Sequence, residues 1–360
     1  MSLDALRGFD MMWIMGLSSA VVALCSLFGA KDCWLAQQMT HVSWEGFRHH
    51  DTIFPLFLFL AGASWPFSCA AQQKRGNSTG AIVLKIFRRA AVLILFGLIY
   101  SGLFKFDFAH LRIPSVLAFI GVGWAGAALL YLFIRKMWIR ALIVFALMVG
   151  YWALLRFSGA PDAPAGAGPF TYAGNISGYV DRMLFGMNHI IGKGDPEGLL
   201  SMMCGIAAGS LGVFAGELVR STRLSGERKV LMMFGFSALL LALGFAWQPW
   251  CPVIKKLWTP TFALFAGGYS AAMFALFYWI CDVKMWRGWT FPFRVIGMNS
   301  ITIYMFARIV GLSGISKFFL SGVASLGNEH WSAFVIALGQ VAVGWVVLWF
   351  LYRKNTFLKV

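Results

Sequence analysis

Residues 41–62 read HVSWEGFRHHDTIFPLFLFLAG. The first half of this stretch is polar and carries three histidines, and the second half is an apolar run that starts after Asp51. Such a run predicts the beginning of a membrane-spanning helix. Ionisable residues at a membrane border are costly and usually serve a function there. The stretch therefore predicts the active-site edge of an enzyme that crosses the bilayer several times.

The composition of the whole chain is that of a membrane protein. Hydrophobic residues make up 59% of the 360 residues and charged residues 12%, and the mean hydropathy is +0.74. A soluble domain carries about 25% charged residues. Strand-like alternation is absent, which argues against a barrel. We predict an all-α polytopic bundle of about ten transmembrane helices that forms a single integral membrane domain over residues 1–360.

The predicted spans follow the apolar runs of the chain. They cover roughly 8–29, 53–72, 82–104, 113–133, 137–157, 198–219, 228–247, 259–281, 290–312 and 332–352. In the sixth span, Gly205-x-x-x-Gly209 and Gly212-x-x-x-Gly216 allow close helix contact. Such glycines serve either packing inside one chain or a homodimer.

The basic residues indicate how the chain is oriented. The net charge of +16 does not predict a nucleic-acid partner, because these residues lie in short runs between apolar segments. With the N-terminus inside, 19 Lys and Arg residues, Lys359 among them, fall on the inner side and 10 on the outer side. This predicts cytoplasmic termini and an outer His41. The outer segments 30–52, 158–197 and 313–331 are predicted to form a small cap.

The cysteines and histidines do not predict a metal site. The six cysteines contain no C-x-x-C pair, and no H-x-x-x-H pattern occurs. His49 and His50 are adjacent, so on a helix they point about 100° apart. Cys33 and Cys251 both fall in predicted outer loops, which leaves a disulfide between them open.

His41 and Asp51 are the first candidates for catalysis. They lie ten residues apart, across a turn-prone segment that contains Gly46. If the loop folds back, Asp51 accepts a hydrogen bond from one ring nitrogen of His41, and the other nitrogen is left as a base. The alternative is a structural histidine at a membrane interface.

Basic residues at the predicted cytoplasmic side are candidates for binding phosphates. Arg7 has Asp4 and Asp10 three residues to either side, so it can be held in an ion pair. Lys85 and Arg89 lie near the start of the third span. The alternatives are an interfacial salt-bridge network for the first group and positive-inside anchoring for the second.

Two further polar groups interrupt apolar segments. Asn299 and Arg308 lie inside the predicted ninth span, where an arginine usually faces a partner or a water-filled cavity. Asp195 and Glu197 precede the sixth span. They can bind an ammonium group or sugar hydroxyls, or they can cap the helix that follows.

Taken in order, the motifs resemble the family of heparan-α-glucosaminide N-acetyltransferase and its bacterial NagX-type transmembrane homologues. The matching pieces are SLDALRG at 2–8, H-x-x-W-x-G-x-x-x-x-D at 41–51, FPLFLFLAG at 54–62, R-I-P-x-V-L at 112–117, GDPEGLL at 194–200 and GMNS at 297–300. They extend over nearly the whole chain.

The resemblance implies a transmembrane acetyltransferase in a bacterial cytoplasmic membrane. The acetyl group of cytoplasmic acetyl-CoA would pass to the amine of a glucosamine-type sugar or glycan on the other side. The family's active-site histidine and aspartate fall on His41 and Asp51. With them, the predicted site comprises Asn299 as oxyanion donor, Trp44, His50, Asp195, Glu197 and Arg308 on the sugar side, and Asp4, Arg7, Lys85 and Arg89 on the CoA side.

Some features leave the reaction open. Ala118-Phe119 stand where the family often has a polar pair with Arg, and Ala307-Arg308 lie where the lysosomal members carry a His, so the acceptor sugar is not fixed. Direct transfer and an acetyl-histidine intermediate are both compatible with the residues. Two other functions also fit a ten-span chain with an intramembrane arginine, namely an N-acetylglucosamine transporter and an O-acetyltransferase acting on a cell-surface glycan.

Overall fold

The computed structural model describes residues 1–358, so the inner basic residue Lys359 lies outside the described residues. Within this range, nine helices are long and apolar enough to cross a membrane. They are α1 (Ser2–Leu27), α3 (His49–Lys74), α5 (Val116–Phe133), α6 (Met137–Phe157), α8 (Met202–Arg220), α9 (Gly226–Trp247), α10 (Pro260–Val283), α12 (Ser300–Ala324) and α13 (Glu329–Arg353). The remaining helices of more than three residues are α2 (Trp34–Gln38), α4 (Thr79–Ser101), α7 (Ile176–Phe185) and α11 (Phe291–Gly297). The predicted all-α polytopic class is confirmed.

The third predicted span, 82–104, corresponds to α4. With 23 residues this helix is about 34 Å long, which is enough to cross a bilayer. It is not one of the nine apolar helices because it carries three basic residues, Lys85, Arg88 and Arg89, in the same half.

The predicted ninth span and the outer loop after it are wrong in their bounds. The helix that begins at Phe291 ends at Gly297, and α12 starts again at Ser300 and continues to Ala324. Gly311 adopts a φ of +80°, in a π-helical turn over Ala307–Gly311. This turn kinks α12 without ending it, so most of segment 313–331 is helix and not loop.

The chain divides into two compact units. The terminal unit contains Met1–Ser43, Arg48–Ile53 and the described chain from Met273 onward. The central unit contains Trp44–Phe47 and Phe54–Ala272.

In the terminal unit, α1 and α11 touch through two glycines. A Cβ on Gly8 would collide with the carbonyl of Phe293, and a Cβ on Gly297 would collide with the carbonyl of Asp4. Farther along α1, Gly16 adopts a φ of +140° where the helix kinks, and a Cβ there would meet the carbonyl of Ala337 in α13. Two motifs separated by nearly the whole chain therefore meet through backbone contact.

The Gly297→Ala variant should be less stable than the wild type. The added methyl group must push α11 away from α1, and such overpacking costs about 1–3 kcal/mol of the free energy of unfolding. The control is Gly314→Ala on α12, where nothing lies within 4 Å of the added atom. Thermal unfolding in detergent should show a lower Tm for Gly297→Ala and an unchanged Tm for Gly314→Ala. Equal Tm values for the two variants would contradict the close contact.

In the central unit, the glycines of α8 allow it to pack closely on α3. A Cβ on Gly212 would collide with the carbonyl of Phe59, and a Cβ on Gly216 would collide with that of Ala63. A Cβ on Gly62 of α3 would in turn collide with the carbonyl of Gly209. Packing inside one chain thus accounts for the glycine pattern of the predicted sixth span.

Candidate active site

His41 and Asp51 are in direct contact in the terminal unit. The Nδ1 atom of His41 lies 2.8 Å from Oδ1 of Asp51. The Asp51 side chain is fully buried, whereas that of His41 is 55% exposed. The second carboxylate oxygen accepts the backbone N–H groups of Val42 and Arg48, at 3.4 and 3.3 Å. These three bonds hold the carboxylate in place under the ring.

The loop that carries His41 is closed by a second set of bonds. The Nη1 atom of Arg48 donates to the hydroxyl of Thr40 at 2.8 Å and to the carbonyl of His41 at 3.3 Å. An ionised Asp51 accepts the Nδ1 proton, so Nε2 is the basic nitrogen of His41. The predicted contact is present, and the catalytic role of the pair remains a prediction.

His50 and Ser18 extend this pair. The ring centroids of His41 and His50 are 4.4 Å apart, with the rings tilted by 54°. The Oγ atom of Ser18 lies 3.1 Å from Nδ1 of His50. Ser18 is buried and follows the kink of α1 at Gly16. Sequence reasoning missed Ser18, because a serine within an apolar helix carries no local signal of function.

The side chain of Asn299 is hydrogen-bonded to the C-terminal segment. Its amide nitrogen donates to the carbonyl of Thr356 at 3.0 Å, and its oxygen accepts the N–H of Leu358 at 3.1 Å. The hydroxyl of Thr302 donates to the same oxygen at 3.3 Å. These bonds give the buried amide a structural function, and its assignment as oxyanion donor stays a prediction. Arg308 is exposed and lies in the π-helical turn of α12.

Arg7 pairs with only one of the two neighbouring aspartates. Its Nη1 atom lies 3.2 Å from Oδ1 of Asp4. Asp10 is buried, and its Oδ2 atom has no hydrogen-bond partner among the described residues. The predicted network around Arg7 is thus a single pair between successive turns of α1.

In the central unit, the other predicted CoA residues lie on α4. The guanidinium carbon of Arg89 lies 4.1 Å from the ring centroid of Trp124. Trp65 packs edge-on against the same indole, with centroids 5.2 Å apart. Lys85 is exposed one turn earlier on the helix. Arg89 is therefore held against an aromatic face, whereas Lys85 faces the surroundings.

Arg112 joins two of the motifs that carry the family resemblance. It donates two hydrogen bonds to Asp195, from Nε at 2.9 Å and from Nη2 at 2.6 Å, and Nη2 also contacts Glu197. Asp195 accepts the N–H groups of Ile191 and Glu197 as well, at 3.1 and 3.0 Å. Helix α8 begins only at Met202. Asp195 and Glu197 thus bind Arg112 and do not cap that helix.

Burial governs the electrostatics of this cluster. It raises the pKa of Glu197 to about 7, against the opposing effect of Arg112. Burial also raises the pKa of Asp181 to about 6, and this carboxylate accepts the N–H groups of Leu199 and Asp195. Burial lowers the pKa of Arg112, but Asp195 and Glu197 outweigh that effect and raise the pKa above its usual value.

A small, partly open pocket lies next to this cluster. Its lining includes Trp44, Tyr172, Asp195 and Lys256. The ring centroids of Trp44 and Tyr172 are 5.5 Å apart, at an interplanar angle of 85°. The Nζ atom of Lys256 lies 5.9 Å from the centroid of the Trp44 ring. The pocket thus combines two aromatic rings, a cation and a carboxylate.

Backbone contacts fix both rings of the pocket. The indole N–H of Trp44 donates to the carbonyl of Phe170 at 2.9 Å. The hydroxyl of Tyr172 accepts the N–H of Lys193 at 2.8 Å. The N–H of Gly46 donates to the carbonyl of Val253 at 2.8 Å, which ties the Trp44 segment to the turn that carries Lys256. Tyr172 and Lys256 were missed from sequence, because they lie in outer loops without a local motif.

Comparison with known proteins adds to this geometry. No protein-family profile matches the chain. The human heparan-alpha-glucosaminide N-acetyltransferase is 26% identical over 391 residues, covering 92% of this chain and 57% of the human protein. The mouse protein of the same name is 26% identical over 389 residues, with coverages of 92% and 58%. The chain thus spans somewhat more than half the length of these relatives. Over nearly its entire length, the chain is thus similar to the heparan-alpha-glucosaminide N-acetyltransferases of human and mouse.

Proposed function

We propose that this protein is a membrane-bound N-acetyltransferase that transfers the acetyl group of cytoplasmic acetyl-CoA to the amine of a glucosamine-type sugar on the other side of the membrane. The observation that carries the proposal is the contact of His41 with the buried carboxylate of Asp51. Similarity to two relatives whose names state N-acetyl transfer supports the reaction type.

His41 is the general base of the proposed reaction. The sugar amine attacks the thioester carbonyl, a C–N bond forms, and the C–S bond breaks. Nε2 of His41 takes a proton from the nitrogen, and Asp51 stabilises the resulting imidazolium through Nδ1. The imidazolium then returns the proton to the CoA thiolate. The products are the N-acetyl sugar and free CoA thiol, and His41 is neutral again.

His50 and Ser18 have a positioning role in this proposal. The His50 ring packs against that of His41, and the hydroxyl of Ser18 holds His50 through Nδ1. A packed neighbouring ring restricts the rotation of His41 and keeps the basic nitrogen in one direction. This supports the assignment of His50 to the acceptor side, where it borders the base.

The pocket of Trp44 and Tyr172 is the proposed acceptor subsite. Sugar rings bind to aromatic faces through their apolar C–H surface, and both rings are fixed by backbone bonds before a sugar enters. Asp195 lines this pocket, and Arg112 binds both Asp195 and Glu197.

The donor side is proposed to use the cations of the predicted cytoplasmic face. Arg7, held by Asp4, and Arg89, held on Trp124, each present a guanidinium whose orientation is restricted. Guanidinium groups bind phosphate oxygens in pairs, which suits the phosphates of CoA. Lys85 adds an exposed ammonium group to this set.

The test uses the purified chain in lipid nanodiscs, with acetyl-labelled acetyl-CoA and a panel of acceptors. Labelled N-acetylglucosamine and free CoA thiol are the expected products with glucosamine. Transfer only to acceptors that lack an amine would instead identify an O-acetyltransferase. Uptake of labelled N-acetylglucosamine by proteoliposomes without acetyl-CoA, in the absence of any transfer, would identify a transporter and overturn the proposal.

The Trp44→Ala variant should bind the acceptor more weakly. Loss of a fixed aromatic contact costs about 2 kcal/mol, so KM for glucosamine should rise about 10- to 30-fold while KM for acetyl-CoA stays unchanged. The control is Trp138→Ala, a tryptophan that is 64% exposed on α6. Steady-state kinetics with each substrate varied separately would check this. An unchanged KM for the sugar would remove Trp44 from the subsite.

A further inference from the structure

Two cysteines lie close together ahead of His41 in the terminal unit. The carbonyl of Cys25 accepts the N–H of Ala30 at 2.9 Å, and the carbonyl of Ala30 accepts the N–H of Cys33 at 3.1 Å. Gly29, with a φ of +70°, makes the intervening turn possible. Two successive backbone bonds thus connect the end of α1 to the residue that precedes α2.

The side chains of these cysteines also meet. The side chains of Cys25 and Cys33 are near enough to each other to interact. Both residues are partly exposed, whereas the other four cysteines are buried. Cys251, which the sequence left as a possible partner of Cys33, has its sulfur 3.7 Å from the hydroxyl of Thr261. The structure holds all six as free thiols, so the predicted option of a Cys33–Cys251 disulfide is not realised.

Cys33 has the features of an attacking thiol. The N–H of Ala36 donates to its sulfur at 3.5 Å. This bond is the main cause that lowers the pKa of the Cys33 thiol. A lower pKa increases the thiolate fraction, and the thiolate is the reactive form in disulfide exchange.

We propose that Cys25 and Cys33 form a disulfide by exchange with an external disulfide. The thiolate of Cys33 attacks one sulfur of the external disulfide, forms a mixed disulfide and releases one thiol. The thiolate of Cys25 then attacks the Cys33 sulfur and releases the second thiol. Two electrons pass from the two cysteines to the external disulfide, which leaves as two thiols. The inference does not depend on acetyl transfer.

The disulfide restrains the segment that leads to His41. It closes the turn between α1 and α2, and α2 ends three residues before His41. Closing a short loop reduces the freedom of the unfolded chain, so the bond stabilises this segment against local opening. The predicted outer location of the segment is where such bonds persist.

The experiment counts thiols in the full chain in nanodiscs, with oxidised and reduced glutathione as probes. After each treatment the protein is denatured and alkylated with a maleimide polymer. Wild type should lose two of its six alkylatable thiols on oxidation, and a linked peptide pair containing Cys25 and Cys33 should appear in non-reducing mass spectrometry. Cys251→Ser should also lose two. Cys25→Ser and Cys33→Ser should form no internal disulfide.

A thermal measurement on the wild type makes the test independent of how well the variants fold. The oxidised wild type should melt about 5 °C higher than the reduced one. The proposal fails if Cys25 and Cys33 both remain alkylatable after oxidation. It also fails if Cys33 stops at a mixed disulfide with glutathione, or if it pairs with another cysteine.

Discussion

Replacement of His41 by alanine should lower the rate of acetyl transfer by about 100- to 10,000-fold, the range by which a positioned general base accelerates a reaction. The sugar amine then has no base at the point of attack, and the imidazolium stabilised by Asp51 no longer forms. CoA binding should not change, since the proposed donor contacts lie on Arg7, Lys85 and Arg89. The measurement is kcat with labelled acetyl-CoA, together with the Kd for CoA by calorimetry.

The Asp51→Asn variant tests the effect of Asp51 on His41 while the His41 ring itself is retained. Asparagine keeps the size of the side chain but removes its charge, so it cannot stabilise an imidazolium or select the Nδ1–H form of His41. The activity should fall nearly as far as in His41→Ala. Asp51 is also buried and bonded to two backbone amides, so the Tm of this variant must be measured beside its rate.

The chain offers a matched control for this pair. His110 and Asp107 form a second histidine–aspartate contact, with Nδ1 and Oδ1 3.0 Å apart and both side chains more than half exposed. His110→Ala removes an equivalent pair from the central unit and should leave kcat unchanged. Retention of full activity in His41→Ala, with His110→Ala also active, would remove His41 from the mechanism.

The sequence predicted the fold class, and it offered the contact of His41 with Asp51 on the condition that the loop between them folds back. Apolar runs define spans because the bilayer sets their length. The histidine and aspartate lie close in sequence, and Gly46, with a φ of +131°, provides the turn between them. The sequence pattern predicted the wrong end for α12. The predicted span stopped at residue 312, next to the kink at Gly311, whereas the helix continues beyond it.

The cluster of Arg112, Asp195 and Glu197 in the central unit shows why the rest of the site could not be predicted from the sequence. Arg112 and Asp195 are 83 residues apart, and the sequence around either residue does not indicate that the other is its partner. From sequence, Asp195 and Glu197 were equally suited to bind a ligand or cap a helix. Contact with Arg112 depends on how α5, α7 and α8 place their loops, which is a property of the packed chain. Tyr172 and Ser18 were missed for the same reason.

Arg112→Gln should cause a larger loss of stability than Gly297→Ala. The substitution removes the cation shared by Asp195 and Glu197, whose side chains are 0% and 9% exposed. Removing one partner of a buried ion pair costs about 3–5 kcal/mol of the free energy of unfolding, which corresponds to a Tm lower by about 4–7 °C for a chain of this length. The triple variant Arg112→Gln/Asp195→Asn/Glu197→Gln should regain part of this loss, because no charge is then left unpaired. Asp107→Asn, which breaks an exposed pair, should change the Tm by less than about 2 °C.

The stability of the wild type should also fall as the pH rises toward neutrality, and Glu197 and Asp181 are the two buried carboxylates responsible. The pKa of Glu197 is about 7 in the folded chain and about 4.3 when unfolded. The folded state therefore binds the proton more tightly. The stabilisation from this group is complete below the unfolded pKa and is lost as the pH passes through about 7, by an amount on the order of 3 kcal/mol.

Measurements of Tm between pH 5 and pH 7.5 would check this dependence. The Tm of wild type should decrease over this range, and Glu197→Gln should make that decrease smaller because glutamine does not titrate. The part that remains is expected from Asp181, whose pKa of about 6 lies in the same range. Arg112→Gln should make the decrease steeper, since the ionised carboxylate then loses its counter-charge. If wild type and Glu197→Gln show the same dependence of Tm on pH, the buried carboxylate is not the group that titrates, and the assignment of Arg112 as its counter-charge fails with it.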